Sequence, residues 1–244
     1  MSRSCRFALL LVLLTALPCR AGLIGTGSEV RLGQDAARQL EQKYGTVNDP
    51  RELDRLAVVG RRLVALCGRS DLKQWHFRIL DTKEVNALAV PGGWVYVTRG
   101  LVGLSLPERE LAFVLGHEIT HIAQRHGVRQ LERSLGMELL LGVVTKGERA
   151  RLAGQVTSML LTTGYSRQDE YRADAGGLSL LSRAGHPSRA AIDFLHRLQE
   201  IHRESPNALE RLFATHPPTQ DRIARLDQQI RKAEGHLAPS LARP

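Results

Sequence analysis

The stretch VLGHEITHIAQRH, residues 114–126, places three histidines and a glutamate close together. His117 and His121 are four residues apart, one turn of an α-helix, so both imidazoles project from one face and can share an ion. Glu118 lies beside His117 around the helix, where its carboxylate can reach a water on that ion without being a ligand. This spacing supplies two zinc ligands and a general base. Val114, Leu115, Ile119 and Ile122 surround these polar groups with apolar ones, which favours a dry site on a core helix. The alternative is a core helix that happens to be rich in histidine. The rest of the chain must decide by supplying the missing parts or failing to.

A catalytic zinc takes a third protein ligand and leaves its fourth position to water. The metzincin pattern requires Gly at position 124 and His at 127. The chain has Gln124 and Gly127, and His126 is off by one, so that layout fails. In the other layout a glutamate arrives from a later helix, and GYSRQDEYRAD (164–174) offers one. Glu170 and Asp174 are again four apart, hence on one face. Glu170 can close the zinc site, and Asp174 can accept a hydrogen bond from the distal nitrogen of a ligating histidine, fixing its tautomer. Taken alone, Glu170 reads as a surface carboxylate beside Arg167 or Arg172.

Helices and one small sheet must carry these residues. SEVRLGQDAARQLEQKYG reads as a helix capped by Ser28 and followed by Gly45. DPRELDRLAVVGRRLVALCG reads as a second, with Asp49 as cap, Pro50 in the first turn and Gly68 as the stop. Its buried stripe is Leu53, Leu56, Val59, Leu63 and Leu66. WHFRIL and NALAVPGGWVYVT are rich in aromatic and β-branched residues, with PGG as a turn signal, which predicts about two to four strands. Helical spacing returns between Pro107 and Gly127, and further helices are expected over about 128–142, 148–163, 166–184, 188–204 and 219–234. The expected fold class is α+β, predominantly helical. MELLLGVV (137–144) is far too short to span a bilayer.

The chain opens MSRSCRFALLLVLLTALPCRAG: Arg3 and Arg6, a short apolar run from Phe7 to Leu17, then small residues around Ala21. That is the layout of a secretory signal cleaved after Ala21. Cys19 raises the alternative of a lipid anchor, to which Pro18 is a poor fit. A single domain is expected over 22–244, with its core motifs over about 80–225 and a loose tail at 235–244. Cys5 and Cys19 leave with the signal, so Cys67 stands alone, with no disulfide framework and no cysteine-based zinc site. It reads as a core residue. The net charge is +9, of which Arg3, Arg6 and Arg20 contribute three. The remaining cations are scattered among Glu and Asp at helical spacing, which describes a solvated surface and not a nucleic-acid site.

The segments NALAVPGGWVYVTRGL, PERELAFVLGHEITH, YSRQDEYRAD and THPPTQDRI stand in an order and spacing similar to the gluzincins related to the CAAX prenyl protease and the HtpX-type membrane proteases. The resemblance implies a zincin-like metallopeptidase domain. It implies one zinc ion per chain on His117, His121 and Glu170, with Glu118 as base and Asp174 as proton-transfer or hydrogen-bonding partner. It implies that WVYVTRG is an edge strand bordering the site, along which an extended peptide pairs through its backbone. It also places His216 of THPP near the zinc, either stabilising the oxyanion or occupying the open position at rest, and brings in Arg222. A surface loop histidine is the plainer alternative for His216.

Integral-membrane relatives carry long apolar segments between the halves of the site, which this chain lacks after its leader. It therefore resembles the soluble, exported branch, whose members handle misfolded or assembling envelope proteins in bacteria. The expected function is a periplasmic zinc endopeptidase acting on unfolded or misassembled polypeptides. Its expected partners are those substrates and envelope protein-assembly machinery, with room for peripheral membrane contact and no nucleic acid. The rival is a periplasmic chaperone or binding protein with a masked, rarely active zinc site.

Overall fold

The computed structural model describes residues 23–135, 146–217 and 220–237. The expected leader, MELLLGVV and the last seven residues lie outside them. Among the described residues, no helix is long and apolar enough to cross a membrane.

Helix α1 (Thr26–Tyr44) begins after Gly25, not at Ser28, which sits inside its first turn. Gly45 ends it with φ +70°. Helix α2 (Pro50–Val64) is capped as expected, the Asp49 carboxylate accepting from the backbone N–H groups of Arg51 and Glu52 at 3.0 and 3.3 Å. It stops at Val64, short of Gly68. Leu56, Val59 and Leu63 are fully buried, while Leu53 and Leu66 pack at the margin of the core. Gly60 lies on the same stripe because the Phe77 ring fills the space a Cβ would need.

Among the described residues the sheet has three strands: β1 (His76–Leu80), β2 (Ala87–Val90) and β3 (Trp94–Thr98). Their order is β1-β3-β2, with β1 parallel and β2 antiparallel to β3. WVYVT is therefore the central strand, which corrects the expectation that it forms the edge. The tight Pro91–Gly93 turn makes β2 and β3 a hairpin, and β1 takes the other side of β3, leaving β2 as an edge. Both Gly92 and Gly93 have positive φ and sit against backbone of Val30 and Gln74, which any Cβ would strike.

Side chains alternate across the strands. Phe77, Ile79, Ala87, Ala89, Val95 and Val97 face one apolar cluster, with α2 and the helix carrying HEITH. Leu88, Val90 and Tyr96 face the other, with α1. Both faces are covered, so the strands read as nearly continuous apolar runs.

After a short helix α3 (Arg99–Val102) come α4 (Glu108–Ala123), α5 (His126–Leu135), α6 (Lys146–Thr162), α7 (Arg167–Arg183), α8 (Ala190–Glu204), a 3-10 turn (Pro206–Leu209), α9 (Glu210–Thr215) and α10 (Gln220–Leu237). Pro107 opens α4 as expected. Gly127 is not its stop. The chain leaves the helix at Gln124 and reverses at Arg125, so that Gly127 falls in the first turn of α5. Arg125 has φ +55°, a left-handed conformation that costs a non-glycine residue about 1–2 kcal/mol. It is held there by the buried Glu29 carboxylate at 3.1 Å and by the backbone oxygen of Ile24. Cys67 is half-buried against the core, and burial pushes its thiol up.

Candidate metal centre

Helix α4 is almost entirely buried and packs most extensively against α7. Their approach depends on glycines. A Cβ on Gly177 would stand 3.0 Å from the backbone nitrogen of His117, and one on Gly176 would overlap the Thr120 side chain at 2.3 Å. With the backbones this close, carboxylates on α7 reach imidazoles on α4. Ser166 caps α7, its hydroxyl accepting from the Asp169 N–H, and this sets where Glu170 and Asp174 fall on the helix.

His117, His121, Glu170 and His216 converge, all buried, with one ligand-type atom from each within 4.8 Å of the others. The Nε2 atoms of His117 and His121 are 3.0 Å apart. Glu170 Oε2 lies 3.5 Å from His117 Nε2, and its Oε1 lies 3.3 Å from His121 Nε2. A tetrahedral ion with bonds of about 2.0–2.1 Å spaces its ligand atoms by about 3.3 Å. The three separations bracket that value, so this donor set fits a small divalent ion. The surface-carboxylate alternative for Glu170 is excluded, as it is 1% exposed.

His216 is also buried. Gly164 makes this possible: its φ of +60° and missing Cβ let the chain before α7 lie against the backbone of Thr215. His216 Nδ1 lies 3.1 and 3.2 Å from the two Glu170 oxygens, and its Nε2 lies 3.8 Å from Glu118 Oε1. Glu118 is 2% exposed, and its Oε2 finds no hydrogen-bonding partner among the described residues. A buried acceptor left this way is costly unless a proton or a water serves it. Burial pushes its carboxyl above the usual range.

Behind His117 stands a chain of charges. Its Nδ1 is 3.1 Å from Asp174 Oδ1. Arg222, in the first turn of α10, grips Asp174 with two donors at 2.6 and 2.7 Å and lies 3.2 Å from Glu170 Oε2. Burial works against an imidazolium here, but Asp174 and Glu170 outweigh it and raise His117 to about 10. Burial likewise opposes the Asp174 carboxylate, yet Arg222 and His117 hold it below the usual range. Glu170 is depressed further by His216 and His117 against the same opposition.

Behind His121 the surroundings are different. Tyr165 stacks on its ring at 3.8 Å between centroids and donates its hydroxyl to Ala89 O at 3.0 Å. The Nδ1 of His126 lies 2.8 Å from the Nδ1 of His121. Burial drives His121 well below its ordinary value and His126 down to about 4. Neither Tyr165 nor His126 was singled out from sequence as part of the site. His126 is brought to His121 by the left-handed turn at Arg125, which helical spacing does not anticipate, and Tyr165 lies in the loop before α7, where spacing along that helix does not place it.

Beside His117 and Glu118 opens an apolar cavity lined by Phe113, Val114, Phe194, Leu195, Leu198 and Leu212. Ala87 of the edge strand borders it. Thr98 N–H donates to Asn86 O, which puts 86, 88 and 90 in hydrogen-bonded register with β3 and turns the backbone groups of Ala87 and Ala89 away from it. An edge strand thus borders the site, but it is β2, and the Tyr165 hydroxyl already sits on its outward carbonyl.

A helix offering two imidazoles and a buried carboxylate, crossed by a second helix that completes the donor set, defines a metallopeptidase-like centre. The chain belongs to peptidase family M48, whose profile matches residues 50–230. It is 30% identical over 213 residues to the mitochondrial metalloendopeptidase OMA1 of Schizosaccharomyces pombe, a match covering 84% of this chain and 62% of that one. It is 31% identical over 213 residues to the beta-barrel assembly-enhancing protease of Escherichia coli, covering 82% and 43% respectively. With the metalloprotease YcaL of Escherichia coli it shares 25% identity over 162 residues, or 64% of this chain and 62% of that one. The chain thus spans less than two thirds of the length of these relatives.

Proposed function

We propose that this chain is a zinc-dependent endopeptidase. His117, His121 and Glu170 hold the ion, and Glu118 is the general base. The observation that carries this is the convergence of three buried donor atoms at tetrahedral spacing beside a carboxylate oxygen that nothing among the described residues satisfies. Zinc bound there supplies Lewis acidity toward a peptide carbonyl and toward water. Glu118 takes the proton of the attacking water and delivers it to the leaving amine. Burial, which raises its carboxyl, makes it a stronger base than an exposed glutamate. Asp174 accepts from His117 Nδ1–H and keeps Nε2 free for the ion, and Arg222 holds Asp174 in place.

The substrate lies as an extended segment against β2, once the Tyr165 hydroxyl leaves Ala89 O, with an apolar side chain in the cavity beside His117. Backbone pairing of this kind reads little sequence, which suits unfolded or misassembled polypeptides. The leader-like residues 1–21 and the similarity to the beta-barrel assembly-enhancing protease support a periplasmic enzyme of envelope protein quality control.

A second reading is favoured by one observation, the position of His216 against Glu170 and within the donor cluster. There it serves as a fourth ligand, masking the site in a chaperone or binding protein that rarely cuts. Unfolded casein, incubated with and without a chelator, separates the two readings. Chelator-sensitive cleavage is expected, and Glu118→Gln is expected to retain zinc while losing about 10²–10⁴-fold in rate. Zinc-loaded protein without cleavage supports the masked site, and undiminished turnover by Glu118→Gln refutes the assignment of the base.

A further inference from the structure

The geometry points to His126 as a positioning residue: its Nδ1 accepts the Nδ1–H of His121 and so holds His121 in the one tautomer whose Nε2 can bind a metal. This rests on the reading of His121 as a ligand through Nε2.

The two Nδ1 atoms are 2.8 Å apart, and both residues are buried, at 1% and 0% exposure. One proton lies between them, and its ownership decides whether the site can hold an ion. If His126 donates, His121 carries its proton on Nε2, facing Glu170, and the lone pair a metal needs is gone. If His121 donates, His126 must carry its own proton on Nε2. The surroundings of that atom favour this second arrangement. Gln124 Oε1 is an acceptor at 3.2 Å, and Asp169 Oδ1 adds a carboxylate at 3.5 Å. Asp169 keeps its other oxygen for the Ser166 hydroxyl at 2.6 Å, so its capping role in α7 leaves Oδ1 turned toward the imidazole.

The backbone is built for this contact. Helix α4 ends at Ala123, and Arg125 takes φ +55° at a residue type that rarely adopts it, which swings His126 back over His121. Arg125 is anchored by Glu29 across the fold. A histidine needed only for packing would not require an ion pair to hold a left-handed arginine before it. Asp174 performs the same service for His117 from the other side, so each imidazole has its own acceptor.

The test uses the whole protein and zinc, with affinity read by competition against a chromogenic chelator. His126→Leu is expected to weaken zinc binding about 10–100-fold. His126→Asn keeps an acceptor oxygen near the place of Nδ1 and is expected to stay within about threefold of wild type. Circular dichroism and melting of the zinc-free forms confirm folding. Histidine nitrogen NMR of the zinc-loaded wild type needs no variant, and should show His121 protonated at Nδ1 and His126 at Nε2. A folded His126→Leu protein that binds zinc like wild type overturns the inference. So does a folded His126→Asn protein as weak as the leucine variant, or a wild type with His126 protonated at Nδ1. A wild type that binds no zinc overturns the metal reading itself, and this inference with it.

Discussion

The two histidines of α4 are one helical turn apart, yet the protein backs them with opposite kinds of matter. His117 rests on a carboxylate that is gripped by a guanidinium, and charge raises it to about 10. His121 rests among neutral rings, Tyr165 and His126, and burial drives it well below its ordinary value. Neighbours within one helix can therefore be given contrary protonation by what approaches from other elements. The charged side is assembled by α7 and α10, and the neutral side by the Arg125 turn and the loop before α7. On the zinc reading, His117 must lose a proton before it can bind the ion, while His121 is already neutral.

Breaking the charged side should have the largest effect. Arg222→Ala takes from buried Asp174 and Glu170 the guanidinium they share and leaves His117 as the cation between them, and about 3–5 kcal/mol of stability should be lost in denaturant unfolding of the zinc-free protein. A loss under about 1 kcal/mol would mean that the pair is not the anchor described. A pH series sharpens the comparison without a mutation. Metal binds the deprotonated imidazole, and His117 holds its proton up to about pH 10, so each unit of acidification from pH 9 to 7 should weaken zinc affinity about tenfold. An affinity flat over that range would place His117 with His121, unprotonated from the outset. The smallest effect belongs to the Tyr165 hydroxyl on the neutral side. Tyr165→Phe keeps the stacked ring and loses only the hydroxyl on Ala89 O, for about 1 kcal/mol of stability with zinc affinity unchanged. A tenfold fall in zinc affinity there would show that the phenol acts on the ion and not only on the strand.

Much of this site was legible in the sequence because helical spacing is a geometric code. His117, Glu118, His121, Glu170 and Asp174 each occupy positions whose face follows from counting along a helix, and the structure brings all five together. His126 stands one position short of the third metzincin histidine, and helical spacing does not place it beside His121, because helix counting assumes that the helix continues. Arg125 ends it, and nothing in the identity of an arginine announces φ +55°. Strand order was hidden for a related reason. Alternation shows that WVYVT lies in a sheet, but not that β1 returns parallel beside it and leaves β2 at the edge. The helix ends were misplaced wherever a cap was read one turn late, as at Ser28, or a stop was assigned to a glycine that lies past it, as at Gly68 and Gly127.

The claim that carries the rest is that Glu170 joins two imidazoles of another helix around one ion. Zinc content of the purified wild type beside Glu170→Ala tests it most directly. One zinc per chain in the wild type and less than about a tenth of that in a folded variant is the result the donor geometry requires. Equal zinc in both would contradict it.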